Sequence, residues 1–219
     1  MSELEDKGKL LYEWMKVTRY SEYTTSKAEQ RLRRFFTWCH DRGLETPEEV
    51  SRAVVESYQR YLFHYRQKSG KPLSGNTQFG YLADVKRYFK FLAKHNHLLY
   101  NPASEIEMPR IERRLPRDVM SISEAEQVLI QPDINKPTGI RDRAMLELFY
   151  STGIRRMELV NVSLYDVDFE RGVLMIREGK GKRDRVVPVG ERALERIEKY
   201  ILEARSQLQH GCSDDRTLF

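Results

Sequence analysis

Over the first hundred residues, apolar side chains recur every three or four positions, the spacing of helices that each bury one face. Four helices are expected there, and no strand. The first runs from about Glu3 to Lys16, with Leu10, Leu11, Trp14 and Met15 inward. The second starts at Ser26, which forms a capping box with Glu29, turns Leu32, Phe35, Phe36 and Cys39 to the core, and ends at Gly43. Thr46-Pro47-Glu48-Glu49 opens the third with a cap, a first-turn proline and a carboxylate that reaches back. Its inner face is Val50, Val54, Tyr58, Tyr61, Leu62 and Tyr65, before Ser69-Gly70-Lys71-Pro72 breaks it. The fourth, roughly Asn76 to His95, buries Leu82, Val85, Phe89 and Leu92 and leaves Lys86, Arg87, Lys90 and Lys94 on the surface.

The periodicity stops between Asn101-Pro102 and Ser121, where Pro109, Pro116 and the run Arg113-Arg114-Leu115-Pro116-Arg117 read as an exposed linker. A short helix capped by Ser123 and Glu126 follows. The next helix runs from Arg141 to Tyr150 and buries Met145, Leu146, Leu148 and Phe149. The period then changes to that of strands. Gly172–Ile176 and Arg185–Val189 are β-rich runs joined by a polar, glycine-containing turn, which predicts a hairpin. An amphipathic helix from about Glu191 to Leu208 closes the pattern with Leu194, Ile197, Ile201 and Leu202 inward.

Composition fits this pattern. Among 219 residues, 40% are hydrophobic and 32% charged, which suits a globular chain of two modest domains. No apolar run approaches the roughly 18 residues that span a bilayer, and the acidic start is unlike a signal peptide, so a cytoplasmic location is expected. Cys39 and Cys212 are too far apart in sequence to suggest a disulfide framework or a zinc site, and His95 and His97 are a weak metal signal; no metal and no cofactor are expected. The net charge of +5 favours a polyanionic partner without requiring one.

The candidate chemistry lies in Thr152-Gly153-Ile154-Arg155-Arg156-Met157-Glu158-Leu159 and in Gly179-Lys180-Gly181-Lys182-Arg183-Asp184-Arg185. Arg155 follows a helix end marked by Thr152-Gly153 and starts the next short helix, Arg156 to Val162. A guanidinium fixed there can offer two parallel donors to a phosphate; the alternative is a surface arginine paired with Asp166 or Glu158. Lys180, between two glycines of the hairpin turn, could reach into a groove of DNA or be an ordinary solvated turn residue. Glu158, three residues from Arg155, could brace it or lie free on the surface.

The order of these parts resembles the tyrosine recombinases of the phage integrase family, of the lambda-integrase and Xer type, over nearly the whole chain. The resemblance rests on Thr-Gly-Ile-Arg-x-x-Glu-Leu, an Asp-containing turn, a strand, and Gly-Lys-Gly-Lys-x-x-Arg-x-Val-Pro. It implies a mainly α fold with a small β hairpin or sheet. A SAM-like helical core-binding domain would cover residues 1–105, a linker 106–120, and the N-terminal part of an incomplete α+β catalytic domain 121–219. Arg155 would be the first catalytic arginine, Glu158 its supporting acid and Lys180 the hairpin lysine. Lys27, Arg31, Arg34, Lys86, Arg87 and Lys90 would contact duplex DNA, with a homo-tetramer forming on DNA in the complete protein.

The family's His-x-x-Arg pair, its later His or Trp and its nucleophilic Tyr have no match here: none of His40, His64, His95, His97 and His210 has an arginine three residues on, and Tyr165 and Tyr200 read as packing residues. The closing stretch to Phe219 resembles the family's approach to its next core element. The expected activity is DNA strand cleavage and rejoining through a 3′-phosphotyrosine, in a form that binds DNA but lacks the nucleophile. A non-catalytic DNA-binding regulator or decoy is the alternative, and a helical interaction scaffold a third.

Overall fold

A computed structural model describes residues 2–111, 119–177, 179, 183–209 and 216–219. The chain divides into two compact units, residues 1–115 and 116–219.

The first unit is helical: α1 Glu3–Val17, α2 Glu22–His40, α3 Arg52–His64 and α4 Gly75–Lys94. Ser21, not Ser26, caps α2, accepting the Thr24 N–H at 3.2 Å. Ser26 lies a turn inside the helix, because Thr25 and Ala28 are already buried and extend the apolar stripe backward. The start predicted at Thr46 is also displaced. Glu49 does reach back, accepting the N–H groups of Glu45 and Thr46 at 2.7 and 2.9 Å, but it closes only a single 3₁₀ turn, Pro47–Glu49. Val50 and Ser51 then turn extended, and Ser51 caps α3 separately.

Aromatic rings fill the core of this unit. Tyr58 meets Phe35 edge-on at 4.9 Å between centroids, and Tyr88 meets Phe36 at 5.3 Å. The Tyr88 hydroxyl donates to the Leu4 carbonyl at 3.0 Å, which ties α4 to the start of α1 and meets the need of a buried O–H for an acceptor. Residues 101–111 do not run as an exposed linker from Asn101 onward. Ala103 and Ile106 are buried in this core and Met108 packs against it, so the apolar positions of an aperiodic segment still found a helical surface to cover. The basic run Arg113–Arg117 lies outside the described residues.

The second unit comprises α5 Ile122–Leu129, α6 Pro137–Thr152, α7 Arg156–Val160, a 3₁₀ turn Leu164–Asp166, β1 Val167–Asp168, β2 Val173–Ile176, β3 Arg185–Pro188, α8 Glu191–Glu203 and α9 Arg205–Leu208. Ser121 with Glu124 forms the capping box of α5, two residues before the expected pair. The strands form an antiparallel sheet in the order β1-β2-β3, with Leu174 opposite Val187 and Ile176 opposite Arg185. Leu174 and Ile176 alternate into the core, where they join Leu148, Ile154, Leu159, Val189, Ile197 and Tyr200.

Several expectations of burial fail in this unit, and on α6 the reason is a carboxylate that took a buried position. On α6, Met145, Leu146 and Phe149 are only half-buried, while Glu147 is 1% exposed between Arg143 and Arg192. Leu202 is 75% exposed, because the helix breaks at Ala204 and the following turn leaves it outside. Tyr165, expected to pack, is 81% exposed; Tyr200 is buried and stacks on Phe219 at 5.3 Å. The last residues fold back, with the Leu218 N–H donating to Val162 at 2.9 Å and its side chain fully buried.

Candidate functional site

The α6 helix ends on Gly153 in the left-handed region (φ 61°), a conformation that glycine adopts without the Cβ clash other residues meet. Ile154 then plugs the core, and Arg155 follows in extended backbone just before α7. A buried neighbour on one side and a helix start on the other fix the Arg155 backbone. Its side chain remains 58% exposed.

Glu158 organises the site. Its side chain is 7% exposed and each oxygen receives two donors. Oε1 accepts from Arg155 Nη1 and Arg185 Nη1, both at 2.9 Å; Oε2 accepts the Arg155 backbone N–H at 2.9 Å and Arg185 Nη2 at 2.6 Å. The Arg185 contact is a bidentate fork, the strongest form of such a pair. Hydrogen bonds from Arg185, and after them those from Arg155, hold the Glu158 carboxyl down at about 2, and the same contact raises Arg185 above its ordinary value.

Among the described residues the Arg155 guanidinium uses only Nη1, so Nε and Nη2 remain as two donors without a protein acceptor. Beside it an open concavity is lined by Thr152, Gly153, Arg155, Arg183, Asp184, Arg185 and Val187. Two negative charges, Asp184 and Glu158, lie among three arginines, so this surface suits an anion.

Of the two partners weighed for a surface Arg155, Glu158 is the one it meets; Asp166 accepts instead from Arg177 Nε at 2.6 Å and from the Ser163 N–H at 2.9 Å. Lys180, the other cation expected at the site, lies outside the described residues, as does Lys182. Gly179, next to it, is described, and its N–H donates to the Arg183 carbonyl at 3.1 Å. Sequence reasoning gave Arg185 no role. Its signals were a place in the motif Gly-Lys-Gly-Lys-x-x-Arg-x-Val-Pro and a cation that opens a strand after a turn, and nothing in the spacing links it to a carboxylate 27 positions earlier.

The six cations expected on the helical unit are not equivalent. Arg31 and Arg87 both pair with Asp84, which is 3% exposed, Arg31 at 3.1 Å. Arg34 lies over the rings of Tyr65 and Tyr81, at 4.2 and 5.2 Å from their centroids. Lys86 donates to the carbonyls of Ser104 and Ile106 at 2.9 and 3.1 Å, holding down the segment after α4. Lys27, over the Tyr23 ring at 5.7 Å, and the exposed Lys90 have no ion pair among the described residues. No group of three His, Cys, Asp or Glu among the described residues could hold a metal, and no described helix is long and apolar enough to cross a membrane.

The order of a helical unit and an α+β unit with a small antiparallel sheet is the architecture of solved integrases. A lambda integrase dimer bound to a COC′ core site shares it with a TM-score of 0.64 over 91% of this chain and 69% of that one, at 16% identity. The profile described as the phage integrase family matches residues 118–217. Tyrosine recombinase XerC 2 of Ralstonia nicotianae is 52% identical over 197 residues, 90% of this chain and 57% of that protein. Tyrosine recombinase XerD of Shewanella oneidensis is 32% identical over 86% of this chain and 60% of that protein. The chain belongs to the phage integrase family of tyrosine recombinases, and it spans about three fifths of the length of these relatives.

Proposed function

We propose that this chain binds duplex DNA as the helical core-binding part and the first part of the catalytic unit of a site-specific tyrosine recombinase. The observation that carries the reading is the Arg155–Glu158–Arg185 cluster beside an open, cation-lined concavity, in a chain 52% identical to a named tyrosine recombinase. In this reading residues 1–105 are the core-binding domain, 106–120 a linker whose first residues, Ile106 and Met108, pack on that domain, and 121–219 the catalytic part.

The chemistry follows from charge. When a tyrosine attacks a phosphodiester, negative charge gathers on the non-bridging oxygens of the five-coordinate transition state, and a preorganised guanidinium stabilises it more than the ground state. Arg155 is that group, braced by Glu158 with two donors to spare. The departing 5′ oxygen needs a proton, which the Lys180 ammonium supplies as general acid. The bond energy is stored in the 3′-phosphotyrosine until another strand's hydroxyl attacks. In this reading the family's nucleophilic tyrosine has no counterpart among these 219 residues, and they bind DNA without cleaving it. On the helical unit, Lys27 and Lys90 are the phosphate contacts best supported, since neither is held in an ion pair among the described residues and Lys27 meets only Gln30 and the Tyr23 ring, whereas Arg31 and Arg87 are engaged with Asp84, Arg34 with Tyr65 and Tyr81, and Lys86 with the Ser104 and Ile106 carbonyls. The complete protein assembles as a homo-tetramer on DNA and works in the cytoplasm.

A nicked suicide duplex tests this. The expected result is binding that weakens as salt rises, with no covalent adduct on denaturing gels. An adduct formed by this chain would refute the missing nucleophile. Affinity that ignores salt, or no affinity, would favour the scaffold reading over recombinase and regulator alike.

A further inference from the structure

We propose that Arg185 is a positioning residue that couples the β2–β3 connection, which carries Lys180, to Arg155 through their shared partner Glu158. The inference rests on the recombinase reading of Arg155 and Lys180 and adds a residue that acts on both.

Glu158 does not serve the two arginines with separate oxygens. Each oxygen accepts one bond from Arg155 and one from Arg185, so the carboxylate plane set by the Arg185 fork is the plane that orients Arg155. The fork matters because two parallel bonds fix orientation where one would allow rotation. Arg185 also sits opposite Ile176 on the last rung of the β2–β3 ladder, so it marks where the connection of residues 177–184 leaves the sheet. Gly179 lies against the pair so closely that a Cβ there would come within 2.7 Å of Arg185 Nη1, 2.9 Å of the Arg183 carbonyl oxygen and 3.3 Å of Glu158 Oε1. The residue preceding Lys180 is thus packed on the ion pair itself. Moving Arg185 perturbs Arg155 through Glu158, and on the other side it perturbs Gly179, the residue before Lys180 in the chain. Gly179 and the α7 start are thereby held to one carboxylate–guanidinium pair, the kind of fixed relation that groups acting on one phosphate require.

A double-mutant cycle on affinity for a short mixed-sequence duplex, read by fluorescence anisotropy, tests the linkage. Arg155→Gln is expected to weaken binding about 10-fold, as for loss of a charge-assisted hydrogen bond. Arg185→Gln is expected to weaken it by a smaller factor, and Arg185→Lys, which keeps the charge but loses the fork, should fall between it and the parent. In the Arg155→Gln background, Arg185→Gln is expected to cost a smaller factor than in the parent, because the part of its effect that runs through Glu158 to Arg155 is already lost. Factors that simply multiply would overturn the proposal, since they describe two independent contacts or general loosening. Amide hydrogen exchange gives a second readout. Arg185→Gln should speed exchange at Gly179 and Arg155 about 10-fold, the rate following from the lost charge-assisted bonds, while the β2–β3 ladder stays protected. Opening of the ladder as well, or unchanged rates at Gly179 and Arg155, would overturn it. If Arg155→Gln leaves affinity unchanged, the recombinase reading fails instead, and the exchange arm alone decides whether Arg185 links the two segments.

Discussion

Replacing Glu158 with Gln keeps the shape of the side chain and removes the charge that holds two arginines. A carboxyl held at about 2 instead of its ordinary 4.5 gains roughly 3 kcal/mol from partners that favour its ionised form. Arg155 and Arg185 are 58% and 38% exposed and recover part of this in water, so about 2 kcal/mol is the expected loss at pH 7. The sign of the pH dependence follows from the lowered value. The stabilisation is complete above about 4.5 and is lost as pH falls toward 2, so the gap between parent and variant should close over that window. Urea unfolding followed by circular dichroism at several pH values between 7 and 2.5 measures it. Both tryptophans, Trp14 and Trp38, belong to the first unit, so tryptophan fluorescence should show a transition that the substitution does not move. A gap that stays constant down to pH 2.5, or one that appears in the tryptophan signal, would refute the reasoning.

Glu147→Ala should be more severe, about 3 to 5 kcal/mol by urea unfolding, because it strands Arg143, 11% exposed, beside an emptied position and removes one of the two carboxylates that hold Arg192. Asp84→Asn should destabilise the helical unit by about 2 to 4 kcal/mol and shift the tryptophan transition, since Asp84 is the common partner of Arg31 and Arg87 across α2 and α4. Lys27→Gln and Lys90→Gln should each lower the slope of log affinity against log salt by about 0.9 with little effect on unfolding, whereas Arg87→Gln should act first on stability. Gly179→Ala should weaken duplex binding as Arg185→Gln does, because its Cβ would have to displace either the Arg183 carbonyl or the ion pair.

Much of the architecture was present in local pattern. The stripes of α2, α3 and α4, the hairpin of β2 and β3, and the helix stop at Gly153 depend on neighbours within a few residues, and a sequence displays those directly, whereas on α1 the buried face runs through Leu4, Leu11 and Met15 and leaves Leu10, expected inward, exposed. The braced pair Arg155 and Glu158 was legible for the same reason, being three residues apart at a helix start. Helix starts slipped where two capping residues competed, as with Ser21 against Ser26 and Ser121 against Ser123, because the choice depends on which neighbours the core buries.

What the sequence alone determined, then, was the set of elements and the family to which their order belongs. The tertiary structure decided which charges are spent inside the fold and which remain for a partner. Asp84 consumes Arg31 and Arg87, Glu147 takes Arg143 and Arg192, and Glu158 gathers Arg185 from 27 residues away. A cation's availability depends on which carboxylate the folded chain brings within about 3 Å of it, and spacing along the chain carries no record of that distance.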